Sequence, residues 1–212
     1  MIAIVDYRAG NLTSVLRAVK HLGHAAEITD DPRRIAAAER VIFPGVGAAG
    51  ETMANLRRLG LDRVLREDVF ASRKPLLGIC IGVQIIFECS EENSAECLGL
   101  VTGQVRRFAP DMNLKVPQIG WNRVQYTAPH PIFAGVPDGA EFYFVNSYYP
   151  LPTGATRVFA RTEYGVTFAS VVGRDNLVAT QFHLEKSGRV GLQMLDNFCR
   201  WDGRLARDEG DR

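Results

Sequence analysis

Residues Gly78-Ile79-Cys80-Ile81-Gly82 place one cysteine between two glycines, after the apolar Leu76-Leu77 and before the helix-compatible Val83-Gln84. A strand that turns sharply into a helix pushes its central side chain out of the bend, and flanking glycines let other backbone approach closely. The sulfur would then sit at a helix N-terminus, where the positive end of the peptide dipoles favours thiolate. An ordinary cysteine, with a pKa of ~8.5, is scarcely ionised at neutral pH, so the placement matters. The competing reading is a buried cysteine acting as a small hydrophobe. A nucleophile needs a base, and the base needs an orienting partner. Of the histidines, His21 and His24 flank Gly23 at a helix end, where imidazole suits the negative pole of the dipole. His130 lies in a loop between Pro129 and Pro131. His183 follows the apolar run Leu177 to Phe182 and stands two residues before Glu185. On an extended chain such residues share a side, so Glu185 could hold one ring nitrogen while the other faces Cys80. Cys80, His183 and Glu185 would then form a nucleophile–base–orienter set.

A glycine loop, Pro44-Gly45-Val46-Gly47-Ala48-Ala49-Gly50, follows the apolar Val41-Ile42-Phe43. It contains Gly-x-Gly-x-x-Gly, the dinucleotide-binding pattern. It follows the third strand rather than the first, however, and no acidic residue closes a second strand at the expected distance to hold a ribose. The alternative is a loop whose N–H groups face an oxyanion, together with the amide of Ile81.

These groups must be positioned by a sheet. Ile2 to Asp6 reads as a buried strand. Asn11 is placed to cap the next helix, whose Leu12, Val15, Leu16, Val19 and Leu22 have helical spacing before Gly23 closes it. A strand near Ala25 to Ile28, a short helix after Pro32, a strand at Val41 to Phe43 and helices over Glu51–Leu59 and Leu61–Ala71 lead to the strand before Cys80. This alternation predicts a parallel sheet covered on both faces. Sites in such sheets gather at the carboxyl ends of strands, where Cys80 and His183 are both expected. In the second half, Leu98–Phe108, Gly120–Tyr126, Glu141–Val145, Arg157–Thr162, Phe168–Val172 and Leu177–Phe182 read as strands, the last two joined by a hairpin turn at Gly173 to Asn176. A final helix, about Gly188–Phe198, would pack through Val190, Leu192, Leu195 and Phe198. The expected fold is α/β: a single open, mostly parallel sheet flanked by helices, with an antiparallel strand extension in the C-terminal half. One domain over 1–201 and a polar, frayed tail over 202–212 are expected.

The composition is that of an ordinary soluble chain: 212 residues, 46% hydrophobic and 23% charged. A net charge of +1 gives no reason to expect nucleic acid or an anionic membrane surface as partner. No apolar run approaches the ~20 residues that span a bilayer. No secretory signal precedes the first strand, and Cys80, Cys89, Cys97 and Cys199 show neither metal-type nor disulfide-type spacing. A reducing, cytoplasmic setting with no metal and no organic cofactor is the expectation.

The elbow, with Gln181-Phe182-His183-Leu184-Glu185-Lys186-Ser187, resembles the triad (class I) glutamine amidotransferases. More narrowly, the chain resembles the HisH family, the glutaminase subunits of imidazole glycerol phosphate synthase. That likeness is carried by Pro44-Gly45-Val46-Gly47, Gly120-Trp121-Asn122-Arg123-Val124, Tyr143-Phe144-Val145-Asn146-Ser147-Tyr148 and the opening Asp6-Tyr7 with Gly10-Asn11-Leu12. It runs from about residue 2 to residue 199. The resemblance implies that Cys80 attacks the amide of glutamine, that His183 protonates the departing ammonia, and that Glu185 orients the imidazole. It implies an oxyanion site from Gly45, Val46, Gly47 and Ile81, and glutamine held by Gln84, Ser147 and Tyr148. The implied partner is a (β/α)8-barrel cyclase subunit, which takes up the ammonia in histidine biosynthesis. Four positions depart from the family pattern: Leu184 replaces proline, Val83 methionine, Arg8 a small residue and Asn146 a histidine. Leu184 frees the backbone between His183 and Glu185. Asn146 raises the alternative of a paralogue serving a surface-sugar pathway. A non-catalytic docking subunit and a stand-alone cysteine hydrolase are the remaining alternatives.

Overall fold

The computed structural model describes residues 1–110, 112 and 114–205. In the first half, β1 (Ile2–Val5), α1 (Leu12–His21), β2 (Ala26–Thr29), α2 (Pro32–Ala37), β3 (Arg40–Phe43), α3 (Ala49–Leu59) and α4 (Leu61–Val64) alternate as expected. α4 continues as a π-helical stretch, Leu65–Ala71, before β4 (Leu76–Ile79) and the short α5 (Ile81–Ile85). The second half holds β5 (Cys89–Ser90), β6 (Ala95–Glu96), β7 (Gly103–Arg107), β8 (Gln118–Arg123), β9 (Gln125–Tyr126), β10 (Glu141–Asn146), β11 (Tyr148–Pro152), β12 (Arg157–Glu163), β13 (Thr167–Arg174), β14 (Leu177–Thr180) and α6 (Gly188–Arg200).

The main sheet has the order β2-β1-β3-β4-β14-β13-β12-β9. Its first five strands are parallel, with wholly apolar, fully buried runs such as Ile2–Val5 and Leu76–Ile79, as two covered faces require. From β14 outward the pairing is antiparallel, and the β13–β14 hairpin turns at Asp175-Asn176, between the paired Arg174 and Leu177. Two smaller sheets, β10-β8 and β11-β7-β5-β6, lie beyond the single sheet expected from the sequence.

Several local expectations are corrected. Asn11 sits at the N-cap of α1 but makes no side-chain capping bond. Residues 98–102 are not strand: the amides of Leu98 to Val101 donate to carbonyls of Ile85, Ile86 and Phe87, satisfying the end of α5, so β7 begins only at Gly103. β11 went unforeseen because Pro150 and Pro152 interrupt it; prolines are tolerated there because it is an edge strand. α6 buries Gly191, Met194, Leu195 and Phe198, while Val190 and Leu192 are only half-buried. The segment after Trp201 is packed at its start: the Trp201 indole donates to Arg204 O at 2.7 Å, and Leu205 lies against the core. Residues 206–212 of the expected tail lie outside the described residues.

Candidate active site

β4 and β14 are parallel neighbours, with Thr180 opposite Ile79, so the residues that leave their carboxyl ends emerge side by side. Cys80 leaves β4 at φ +56, ψ −102, a conformation that costs an L-residue on the order of 1–3 kcal/mol. Packing enforces the bend. A Cβ on Gly82 would lie 2.2 Å from the Phe43 carbonyl oxygen, and one on Gly78 would lie 2.8 Å from the Gly82 backbone. Both glycines are therefore required by close backbone approach. The helix behind Cys80 has only five residues, so its dipole is weaker than the sequence suggested.

His183 leaves β14 and is fixed through its backbone. Its N–H donates to Tyr143 O at 3.0 Å, and its carbonyl accepts from Ser187 Oγ. The same hydroxyl accepts from the Tyr143 N–H at 2.9 Å, so Ser187 ties the turn to β10. The extended chain expected from His183 to Glu185 is not present; residues Leu184–Lys186 form one 3-10 turn. That turn still brings Glu185 Oε1 to 2.8 Å from His183 Nδ1, with both side chains at least 96% buried. With Leu184 between them, the two groups remain aligned.

Burial alone would lower the His183 pKa. The Glu185 carboxylate bonded to Nδ1 and the nearby Cys80 sulfur outweigh it and carry the imidazole up to about 10. His183 is thus held protonated beside Cys80. His183 Nε2 makes no hydrogen bond in the resting structure, and the thiol directs its S–H to Val145 O at 3.7 Å.

Cys80 opens into a cavity of about 240 Å³ lined by Val46, Gly47, Ile81, Gln84, Glu92, Pro117, Val145, Asn146, Ser147 and Tyr148. Of the residues expected to hold substrate or oxyanion, all but Gly45 line it. Gly45 lies with His183 and Glu185 along a narrow recess on the other side of Val46. Gly45 also blocks one expected donor: its carbonyl accepts the Ile81 N–H at 3.5 Å. Glu92 is the carboxylate that sequence reasoning missed. It comes from a 3-10 turn, accepts from the Ala49 N–H at 2.7 Å through Oε2, and has its pKa raised by burial. No spacing pattern singles it out, since it enters the cavity from a separate loop. His130 is buried away from this site and accepts the Ile132 N–H, while His24 pairs with Asp196 at 2.6 Å.

The model of the family "glutamine amidotransferase class-I" matches residues 3–201. A protein named imidazole glycerol phosphate synthase subunit HisH from Dehalococcoides mccartyi (strain CBDB1) is 49% identical over 94% of this chain and 97% of its own. The chain belongs to the HisH family of class-I glutamine amidotransferases. HisH-named relatives from Herpetosiphon aurantiacus, at 47% identity over the whole of both chains, and Desulfovibrio desulfuricans, at 50% over 98% and 99%, are similar along the amidotransferase's full length. Among solved structures, a glutamine amidotransferase superposes with TM-score 0.73 at 18% identity, covering 93% of this chain and 98% of its own. The glutaminase domain of Trypanosoma brucei CTPS, with bound acivicin, superposes with TM-score 0.63 at 14% identity, covering 97% of each. At such identities the superpositions establish the shared fold of this amidotransferase. No helix among its described residues is long and apolar enough to cross a membrane.

Proposed function

We propose that this amidotransferase is the glutaminase subunit of an imidazole glycerol phosphate synthase, with Cys80, His183 and Glu185 as its triad. The observation that carries the reading is the His183–Glu185 pair, buried beside a thiol that opens into a small cavity. The Cys80 thiolate attacks the side-chain amide carbon of glutamine, and the resulting oxyanion is met by N–H groups of Ile81 and Val46. His183 gives its proton to the departing ammonia, leaving a γ-glutamyl thioester. It then takes a proton from the water that attacks this thioester, and glutamate and thiolate separate. Glu185 keeps the imidazole oriented throughout. Glu92 offers a carboxylate to the α-ammonium group of glutamine, while Gln84, Ser147 and Tyr148 hold the rest of the molecule. Residues 1–201 form the amidotransferase domain in this reading, in keeping with the span of the family match.

The ammonia passes to a partner subunit, a (β/α)8-barrel cyclase of histidine biosynthesis. At neutral pH free ammonia would be largely protonated and lose its nucleophilic lone pair, so direct transfer has a chemical reason. The names of the full-length relatives favour this partner over one from a surface-sugar pathway. A docking surface is available: Ile119 and Trp121 on β8 are 64% and 55% exposed, and the indole packs edge-on against Tyr143. The buried, aligned triad speaks against a purely docking role. The test is glutamate release with a purified cyclase subunit present. Cys80→Ala should lower it by ~10⁴-fold or more; unchanged turnover would reject the triad, and absence of stimulation by the cyclase would reject the partner.

A further inference from the structure

The Gly45–Val46 peptide directs its carbonyl at the Ile81 amide, 3.5 Å away. In a trans peptide C=O and N–H point in opposite directions, so the Val46 N–H is turned away from that amide. The Ile81 amide is thus occupied and the Val46 N–H faces away from it, so the two do not converge on one oxyanion in this arrangement. The next carbonyl of the loop is held as well, because Val46 O accepts from the Tyr7 hydroxyl at 3.0 Å.

Tyr7 follows β1 and is completely buried. Its ring stacks on Phe43, the residue that leads into the loop, at 4.9 Å and 22°. There is no slack around its hydroxyl: a Cβ on Gly45 would lie 1.8 Å from it, and one on Gly10 would lie 3.2 Å from it. Burial, and then the nearby charge of Cys80, push the phenol pKa upward, so Tyr7 remains a neutral donor across the working pH range. The triad makes no use of this group. Two successive loop carbonyls are thus fixed from outside, one by Ile81 and one by Tyr7.

We propose that Tyr7 is a positioning residue: its hydroxyl latches the Val46 carbonyl and holds loop 44–47 where the Ile81 amide stays masked. Glutamine hydrolysis is then slow until the latch is released and the Gly45–Val46 peptide can turn. The inference rests on reading Val46 and Ile81 as the oxyanion donors of a Cys80-dependent glutaminase.

Tyr7→Phe keeps the ring stack and removes only the donor. Glutamate release without the partner should rise about three- to tenfold, the net worth of one neutral hydrogen bond, while the partner-stimulated rate moves by less than about twofold. Alkylation of Cys80 by iodoacetamide, which displaces iodide without forming an oxyanion, should keep its wild-type rate. Parallel loss of both hydrolysis rates, an unchanged unstimulated rate, or an equal rise in alkylation would overturn the latch. If Cys80→Ala retains turnover, the glutaminase reading itself fails and the latch with it. If turnover depends on Cys80 but ignores the Tyr7 hydroxyl, only the latch fails.

Discussion

His183 Nδ1 lies 2.8 Å from Glu185 Oε1, and a single residue, Leu184, separates the two in the chain. The 3-10 turn that achieves this buries both groups, so the charge of Glu185 acts on the imidazole with little screening by water. Glu185→Gln preserves a hydrogen-bonding side chain of the same shape and removes that charge. The expected outcome is a fall in kcat of about 10²- to 10⁴-fold with KM nearly unchanged. An NMR titration of the His183 ring should show its pKa moving down from its raised position, and an unmoved titration would contradict the assigned role.

The same pair predicts an alkaline effect on stability. Because the folded pKa of His183 is raised to about 10, its contribution is fully present below the unfolded value of about 6.5 and is lost as pH rises through about 10. Melting temperatures between pH 7 and pH 10 should therefore fall less steeply in Glu185→Gln than in wild type.

His130 behaves in the opposite sense. Burial, and secondly the charge of Arg157, lower its pKa to about 3, so the folded chain resists a proton that the unfolded chain accepts. Its contribution is present above about 6.5 and is lost as pH falls toward about 3. His130→Asn supplies another acceptor for the Ile132 N–H and cannot titrate in this range. The variant is expected to be less stable at pH 7 through lost ring packing, yet to show a shallower stability decline between pH 6.5 and 4 in urea unfolding.

Glu92 carries a prediction about binding rather than chemistry. Glu92→Gln can still accept the Ala49 N–H, so the loop should remain in place, but the charge opposite the substrate's ammonium is gone. KM for glutamine should rise about ten- to hundredfold, as expected for a hydrogen bond to a charged group, with kcat within about threefold. A large fall in kcat at unchanged KM would assign Glu92 elsewhere.

Gly82→Ala tests the elbow. In an ordinary helix this exchange stabilises by about 0.5–1 kcal/mol. Here the new methyl would lie 2.2 Å from the Phe43 carbonyl oxygen, so the sign should reverse. Destabilisation of about 1–3 kcal/mol is expected, read as a lower melting temperature together with reduced Cys80 alkylation.

Legibility followed the range of the interaction. Cys80 between its glycines and Glu185 two residues from His183 were readable because their geometry is set within a few covalent bonds. The parallel strands were readable because burial on both faces leaves uninterrupted apolar runs such as Leu76–Ile79. Residues 98–102 were misread because their apolar content looks the same whether they pair in a ladder or, as here, satisfy the end of α5. Tyr7 and Ser187 carried part of the family likeness without a role of their own, and Glu92 was not singled out, for a related reason. Each acts through one hydrogen bond to a distant segment, and no periodicity marks such a bond.

The sequence by itself determined the chemistry on offer: one cysteine in a strained elbow, one histidine with an acid two residues on, and a glycine loop able to approach them. It determined the α/β alternation for the same reason, since backbone geometry and apolar spacing act locally. Only the tertiary structure decided which groups meet. The parallel pairing of β4 with β14 sets Cys80 and His183 at neighbouring strand ends, a separate turn brings Glu92 to the cavity, and Tyr7 reaches Val46 from β1. It alone also decided that the Gly45 carbonyl, rather than a substrate oxygen, faces Ile81 at rest. A peptide's orientation depends on what packs against it from elsewhere in the chain, and that information is absent from the local residue types.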